Sequence, residues 1–91
     1  METFAVAYGY VPEMEERRGP HRADHLAFLK DLAAKDLMML AGALTDPVDG
    51  GWIVVRAESA AAAKEMMDAD PYATAGLIRS VTVRPIAIVV P

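Results

Sequence analysis

The N-terminal segment Thr3–Tyr10 constrains the fold most, because it is apolar on both faces of a β-strand. Successive side chains of a strand point to opposite sides of the sheet, so large residues fill one face here and small residues fill the other. The large residues are Phe4, Val6, Tyr8 and Tyr10, and the small residues are Ala5, Ala7 and Gly9. A strand without a polar face is typical of a sheet covered on both sides, and we expect both faces to be covered.

The middle of the chain predicts one helix followed by an antiparallel hairpin. Leucines recur at helical spacing after Pro20, which suits the first turn of a helix, so the helix is expected to extend to about Lys35. The apolar run Leu37–Leu44 and the strand-like segment Trp52–Ala57 flank Thr45–Gly51, which is rich in turn-forming residues.

The C-terminal third predicts a second helix and a long last strand. Ser59 is a suitable N-cap, and Pro71 ends the helix because the residue before a proline disfavours the α conformation. Leu77–Val90 is predicted as one strand, in which Pro85 marks a sheet edge or a bulge. The order β-α-β-β-α-β predicts an α+β, ferredoxin-like domain, with two helices on one face of a four-stranded antiparallel sheet. The other face is left for a second subunit, related by a two-fold axis.

Length and composition indicate one domain that associates with itself. A chain of 91 residues has room for one core, so residues 1–91 are expected to form a single domain. The apolar fraction of 54 % excludes a disordered chain. A domain of this size buries only about 60–65 % of the surface of its unfolded chain, so part of the apolar excess is predicted to lie at a homodimer interface.

Charge and cysteine content exclude several classes of partner and chemistry. The net charge of -4 argues against a nucleic-acid partner and against an anionic membrane surface, since both need a basic face. Without cysteine there is no thiol nucleophile, disulfide or cysteine-ligated zinc, and such a small domain is expected in the reducing cytoplasm. The sequence has neither a basic signal-peptide n-region nor an apolar run of roughly 18–20 residues, so no membrane partner is predicted.

Two side chains are candidates for acid–base chemistry. His25 borders the apolar stripe of the first helix, one turn before Leu29, where partial burial beside a charge partner suits an imidazole for proton transfer. The alternative is a boundary histidine with a structural hydrogen bond. Asp70 follows the second helix and is braced by Pro71, so its carboxylate can either orient an imidazole or form a helix-stop or Asx turn. The residues alone do not show whether Asp70 reaches His25.

A metal site and a nucleotide-binding loop are not predicted. His21 and His25 are four residues apart, as in metal-binding helices, but the cationic Arg22 stands where zincins carry glutamate. Gly50 and Gly51 are predicted to lie in a turn, since no GxGxxG or Walker pattern surrounds them. The sequence therefore predicts neither a metal ion nor a cofactor.

Arg17, Arg18 and Arg22 cluster around the start of the first helix. Guanidinium groups in this position could hold a carboxylate or phenolate substrate near His25. The alternative is a solvated basic patch that nearby glutamates neutralise, and the residues alone leave both interpretations open.

Several short motifs follow one another in a specific order and spacing. They are Arg17-Arg18 and Arg22-Ala23-Asp24-His25-Leu26, then Leu40-Ala41-Gly42-Ala43-Leu44, the turn Asp46–Gly51, Ala57-Glu58-Ser59-Ala60, Asp70-Pro71-Tyr72 with Ala75-Gly76-Leu77, and Val83-Arg84-Pro85. As an ordered set they resemble the YciI-like (YCII-related) domain family over nearly the whole chain. Two departures are Ala43, where many members carry proline, and His21, which is an extra histidine.

The resemblance implies a dimeric ferredoxin-like α/β barrel with a His/Asp-centred active site. By motif, the histidine is His25 in Arg-x-x-His-Leu, the aspartate is Asp70 in Asp-Pro-Tyr, and Arg22 matches a position that is often basic. One branch of the family resembles dehydrochlorinases of hydroxylated chloroaromatics, and structurally related barrels include muconolactone isomerases and cofactor-free monooxygenases. Other YciI-like domains look like accessory or binding proteins.

Two functions follow from these features. The first is a small cofactor-free enzyme that performs elimination or isomerisation on a small metabolite, with hydroxylated aromatics as one candidate class. His25 would move a proton, Asp70 would fix its tautomer, and Arg22 with Arg18 would hold an anionic oxygen. The alternative is a non-catalytic homodimer that binds a small molecule or serves as an accessory subunit. A ligand that is bound and never converted would favour this alternative.

Overall fold

Four strands and four helices make up the chain in the computed structural model, which describes residues 1–91. In chain order they are β1 (Glu2–Tyr10), α1 (Met14–Arg17), α2 (Gly19–Ala34), β2 (Met38–Ala43), β3 (Gly50–Ala57), α3 (Ala60–Asp68), α4 (Pro71–Thr74) and β4 (Ile78–Pro85). The strands form one antiparallel sheet in the order β2-β3-β1-β4. The structure confirms the predicted ferredoxin-like α+β fold and the hairpin formed by β2 and β3.

The large face of β1 forms the centre of the core, since β1 lies between β3 and β4 and the helices cover this side. Its buried side chains, Phe4, Val6, Tyr8 and Tyr10, share one hydrophobic cluster with Leu32 of α2 and Met67 of α3. The opposite face carries no helix. Ala7 of β1 pairs there with Trp52 of β3, whose side chain is 52 % exposed in the single chain.

The last strand is shorter than the predicted Leu77–Val90, because β4 ends at Pro85. β4 lies at the sheet edge, as the proline indicates. The paired residues end with Phe4 and Pro85, and one further backbone hydrogen bond joins the N–H of Ile86 to the carbonyl oxygen of Thr3 at 3.1 Å. Residues 86–91 instead lie against the helix-free face, where they line an apolar cavity of about 410 Å³ with β2 and β3.

The predicted turn over Thr45–Gly51 is also shorter, since Gly50 and Gly51 are the first two residues of β3. Gly50 allows two strands to approach closely, because a Cβ atom at this position would lie 2.6 Å from the carbonyl oxygen of Tyr8. No side chain tolerates that distance. Gly50, which resembles a turn residue in the sequence, is therefore a packing requirement of the β1–β3 ladder.

The two longer helices begin close to the predicted positions. α2 starts at Gly19, with Pro20 in its first turn, and α3 starts after Ser59, whose hydroxyl oxygen accepts the backbone N–H of Ala62 at 3.1 Å. None of the helices combines the length and the apolar character that crossing a bilayer requires.

Candidate active site

Asp70 is fixed at the junction between α3 and α4, where it is the N-cap of α4 and is fully buried. Its Oδ1 atom accepts the backbone N–H of Tyr72 at 2.9 Å, and Pro71 occupies the first helical position. This is the local helix-cap geometry that Asp-Pro sequences favour. The cap holds the carboxylate in one orientation inside the core.

His25 reaches Asp70 from α2, which packs against α4. Its Nδ1 atom lies 2.7 Å from Oδ1 of Asp70, although the two residues are 45 positions apart. The imidazole also stacks on the ring of Tyr72, with ring centroids 3.7 Å apart and an interplanar angle of 6°. An ionised carboxylate can only accept hydrogen bonds, so Nδ1 carries the proton and, in the neutral ring, Nε2 is the basic nitrogen.

Tyr8 completes the surroundings of the carboxylate, because its hydroxyl group donates to Oδ2 of Asp70 at 3.1 Å. Three donors thus compensate Asp70 for the water it loses on burial. Burial, followed by the charge of Asp70 and this hydrogen bond, raises the pKa of Tyr8 far above its ordinary value, so the phenol stays protonated. Tyr8 could not be predicted as a site residue from the sequence, since no spacing links it to Asp70.

A cavity of about 200 Å³ opens beside this pair, between α2 and the β2–β3 hairpin. Its polar wall contains His25, Arg18 and Arg22, and its remaining lining is mostly apolar. Of the three arginines predicted around the start of the first helix, Arg18 and Arg22 thus lie at one cavity with His25, whereas Arg17 does not line it. The other predicted residue, Asp70, lies behind the histidine and does not line the cavity.

Tyr10, one of the large residues on the buried face of β1, also lines this cavity and was not predicted as a site residue. Burial raises the pKa of Tyr10 to about 12, with Tyr72 and Asp70 adding to the rise, whereas Arg18 and Arg22 oppose it. The phenol is therefore a neutral hydrogen-bond donor at physiological pH. In an alternating strand, a tyrosine that lines a cavity and a tyrosine that fills the core follow the same sequence pattern, so the sequence does not distinguish them.

The extra histidine, His21, lies one helical turn before His25 on α2 and does not line the cavity. No group of three or more metal-ligating side chains forms around either histidine. The chemistry that the residues at the cavity can perform is proton transfer by an oriented imidazole beside two cationic side chains, Arg18 and Arg22.

The sequence matches the profile of the YCII-related domain over residues 2–87. The chain belongs to this family. An uncharacterized protein of Haemophilus influenzae is 34 % identical to this YCII-related domain over 84 residues, which cover 82 % of this chain and 86 % of that protein. The resemblance seen in the ordered motifs is confirmed.

Two solved structures share the fold of this YCII-related domain. A 5-chloro-2-hydroxyhydroquinone dehydrochlorinase of Burkholderia phenoliruptrix, in complex with 2,5-dihydroxybenzoquinone, superposes with a TM-score of 0.77 at 23 % identity and 90 % coverage of both chains. An antibiotic biosynthesis monooxygenase superposes with a TM-score of 0.54 at 13 % identity, over 98 % of this chain and 99 % of the other. At these identities the likeness establishes the fold alone.

The hydroxyl group of Tyr72 is buried and has no hydrogen-bond partner, which leads to an unusual stability prediction. The Tyr72→Phe variant keeps the ring on His25 and removes an unsatisfied polar atom, so we expect an unfolding free energy about 1 kcal/mol higher. Tyr8→Phe is the matched control. It removes a hydrogen bond to a buried carboxylate, and we expect a loss of about 2 kcal/mol. Urea unfolding measures both, and a destabilised Tyr72→Phe protein would contradict the assignment.

Proposed function

We propose that this YCII-related domain is a small enzyme that performs elimination or isomerisation by proton transfer, without a cofactor, on a substrate held in the His25 cavity. One observation carries the proposal. Asp70 holds Nδ1 of His25 at 2.7 Å, so the free ring nitrogen belongs to an oriented imidazole at the wall of a cavity with two arginines. Such an arrangement suits a general base whose cationic form is stabilised by the carboxylate.

The proposed reaction uses each group once. Nε2 of His25 removes a proton from the substrate, and the buried carboxylate of Asp70 stabilises the imidazolium that forms. Arg18 and Arg22 stabilise the negative charge that develops on a substrate oxygen. The electron pair then either expels a leaving group, which completes an elimination, or takes the proton back at another carbon, which completes an isomerisation.

Hydroxylated aromatic rings are the first substrate class to test. The dehydrochlorinase with the same fold acts on such a ring, and a cavity of about 200 Å³ accommodates one. A ring hydroxyl supplies both an acidic proton for His25 and an oxyanion for the arginines. These features support the substrate class, which we propose for this chain on chemical grounds.

The test is a direct assay for turnover. The protein is incubated anaerobically with 5-chloro-2-hydroxyhydroquinone, and chloride release is measured against a protein-free sample. Non-chlorinated hydroxyaromatics are recovered from D₂O to detect exchange of ring protons. We expect chloride release or exchange that depends on protein concentration. If 2,5-dihydroxybenzoquinone binds and neither reaction occurs, the enzyme proposal fails and the domain is a binding protein.

We also propose that two copies pair through their helix-free sheet faces. Trp52 and Leu40 lie on or beside this face and are 52 % and 56 % exposed in the single chain. The C-terminal residues Val89 and Val90 add further apolar surface next to it, at 90 % and 82 % exposure. A large exposed apolar surface marks a protein–protein interface, and pairing of two identical copies about a two-fold axis is the commonest form of association.

Replacing Trp52 with aspartate is expected to convert the proposed dimer to a monomer, because each copy would bury an unpaired carboxylate in an apolar interface. Ala27→Asp, on the exposed side of α2, introduces the same charge away from the sheet face and should leave the dimer intact. Sedimentation velocity at micromolar concentration distinguishes the two species. A wild-type protein that sediments as a monomer would refute the dimer.

A further inference from the structure

We propose that Tyr10 is a substrate-binding residue of the His25 cavity, donating a hydrogen bond to a substrate oxygen, and that Gly51 provides the space for its hydroxyl group. The inference rests on the proposed function, because it concerns the same cavity. It adds a requirement for the substrate. The ligand carries an anionic oxygen for the arginines and a second oxygen that accepts from Tyr10.

The first observation is a rigid phenol whose polar end is unused. The ring of Tyr10 is only 7 % exposed and packs edge-on against Tyr72, with centroids 6.2 Å apart at 89°. The ring centroid of a second tyrosine on the same strand, Tyr8, lies 6.3 Å from that of Tyr10. Tyr8 donates to Asp70, whereas the hydroxyl group of Tyr10 bonds to no other group of the chain. The hydroxyl group of a packed tyrosine usually has a hydrogen-bond partner. Because Tyr10 lines the cavity, a bound ligand can be that partner.

The second observation is the glycine opposite that hydroxyl group. A Cβ atom on Gly51 would lie 2.7 Å from the phenolic oxygen of Tyr10 and 3.2 Å from the carbonyl oxygen of Gly42. The first distance is shorter than any real Cβ contact, so a side chain at this position would displace the hydroxyl group. Glycine weakens a strand and is found where another group approaches closely. At Gly51 the group that approaches closely is the phenolic hydroxyl of Tyr10.

Charge determines what this donor can bind. Arg18 and Arg22 line the same cavity, so the strongest anionic group of a ligand belongs to them. The pKa of Tyr10, raised to about 12, keeps the phenol neutral beside these cations. A neutral donor distinguishes ligands by the presence of a second acceptor oxygen. Hydroxylated aromatic acids and hydroxyquinones meet both requirements, and simple aromatic acids meet only the first.

The test compares benzoate with 3- and 4-hydroxybenzoate by NMR titration of the wild-type protein and its variants. We expect the better hydroxybenzoate to bind wild type about fivefold or more tightly than benzoate, which corresponds to one added hydrogen bond. In Tyr10→Phe that advantage should vanish while benzoate affinity is retained. Gly51→Ala should lose the same advantage. Gly19→Ala is the matched glycine control, because a Cβ there meets nothing within 4 Å, and it should behave as wild type.

Stability provides a second, independent measurement. Gly51→Ala should destabilise the protein less in the Tyr10→Phe background than in the wild type, because the clashing hydroxyl is absent. An equal cost in both backgrounds would overturn the role of Gly51. If benzoate binds but the ring hydroxyl adds nothing, or its advantage survives in Tyr10→Phe, the inference about Tyr10 is wrong and the proposed function stands. If neither probe binds wild type, the inference about Tyr10 fails, and the turnover assay with 5-chloro-2-hydroxyhydroquinone decides the proposed function separately.

Discussion

Replacing Asp70 with alanine is expected to lower the free energy of unfolding by about 3–5 kcal/mol, which is a large share of the stability of a small domain. The carboxylate is fully buried and accepts from three donors. Its removal leaves the N–H of Tyr72, the hydroxyl of Tyr8 and Nδ1 of His25 without an acceptor in the core. Each orphaned donor retains the cost of its desolvation, so the loss exceeds that of one ordinary hydrogen bond.

Urea unfolding of two further variants shows how much of this loss of stability depends on the burial of Asp70 and how much on its charge. Asp68→Ala removes a carboxylate two residues away whose ion pair with Lys64 is exposed, and it should change the stability by less than about 0.5 kcal/mol. Asp70→Asn preserves the shape but places an amide NH₂ among donors, so an intermediate loss is expected. The ¹⁵N shifts of His25 should also change from one fixed tautomer to a mixture. An Asp70→Ala protein as stable as Asp68→Ala would show that the carboxylate is not held as described.

The strand pattern predicted the fold because it is local and repetitive. The alternation of large and small residues along β1 determines which face meets the helices, and the structure buries that face. The end of β4 could not be predicted in the same way. Val89 and Val90 have strong strand propensity, but a strand also needs a neighbouring strand to pair with, and the pairing with β1 ends at Phe4 and Pro85. The extent of an edge strand therefore depends on residues at the other end of the chain.

For the candidate site, too, features of single elements could be predicted from the sequence, whereas contacts between distant elements could not. His25 could be found on its helix and Asp70 at its helix end, and the family resemblance suggested that they belong together. The 2.7 Å contact itself depends on how α2 packs against α4, which no spacing encodes. The roles of Tyr8 and Tyr10 at the site could not be predicted for a different reason. On an apolar strand face, a tyrosine whose hydroxyl serves a site has the same pattern as one that fills the core.

His25→Gln is expected to reduce kcat by about a hundredfold or more on a substrate that the wild-type protein converts, because an amide cannot take up a proton at neutral pH. Glutamine retains a polar side chain of similar size that can still donate to Asp70, so the fold should survive. His21→Gln is the same substitution one helical turn earlier, outside the cavity lining, and its rate should stay within about twofold of wild type.

Binding has to be separated from chemistry before this loss is assigned to proton transfer. If Nε2 of His25 acts only as the base, its variant should bind 2,5-dihydroxybenzoquinone nearly as well as wild type, since the anion is held by Arg18 and Arg22. It should also lose deuterium exchange from D₂O in proportion to turnover. Lost affinity with unchanged kcat would make His25 a binding residue. Full turnover in His25→Gln would mean that another group takes the proton, and the remaining ionisable side chains at the cavity are the two arginines and the phenols of Tyr10 and Tyr72. A protonated phenol or guanidinium has no site that readily accepts a proton, and the pKa of Tyr10, raised to about 12, keeps its phenol protonated near neutrality. We therefore expect proton transfer at this cavity to depend on the imidazole of His25.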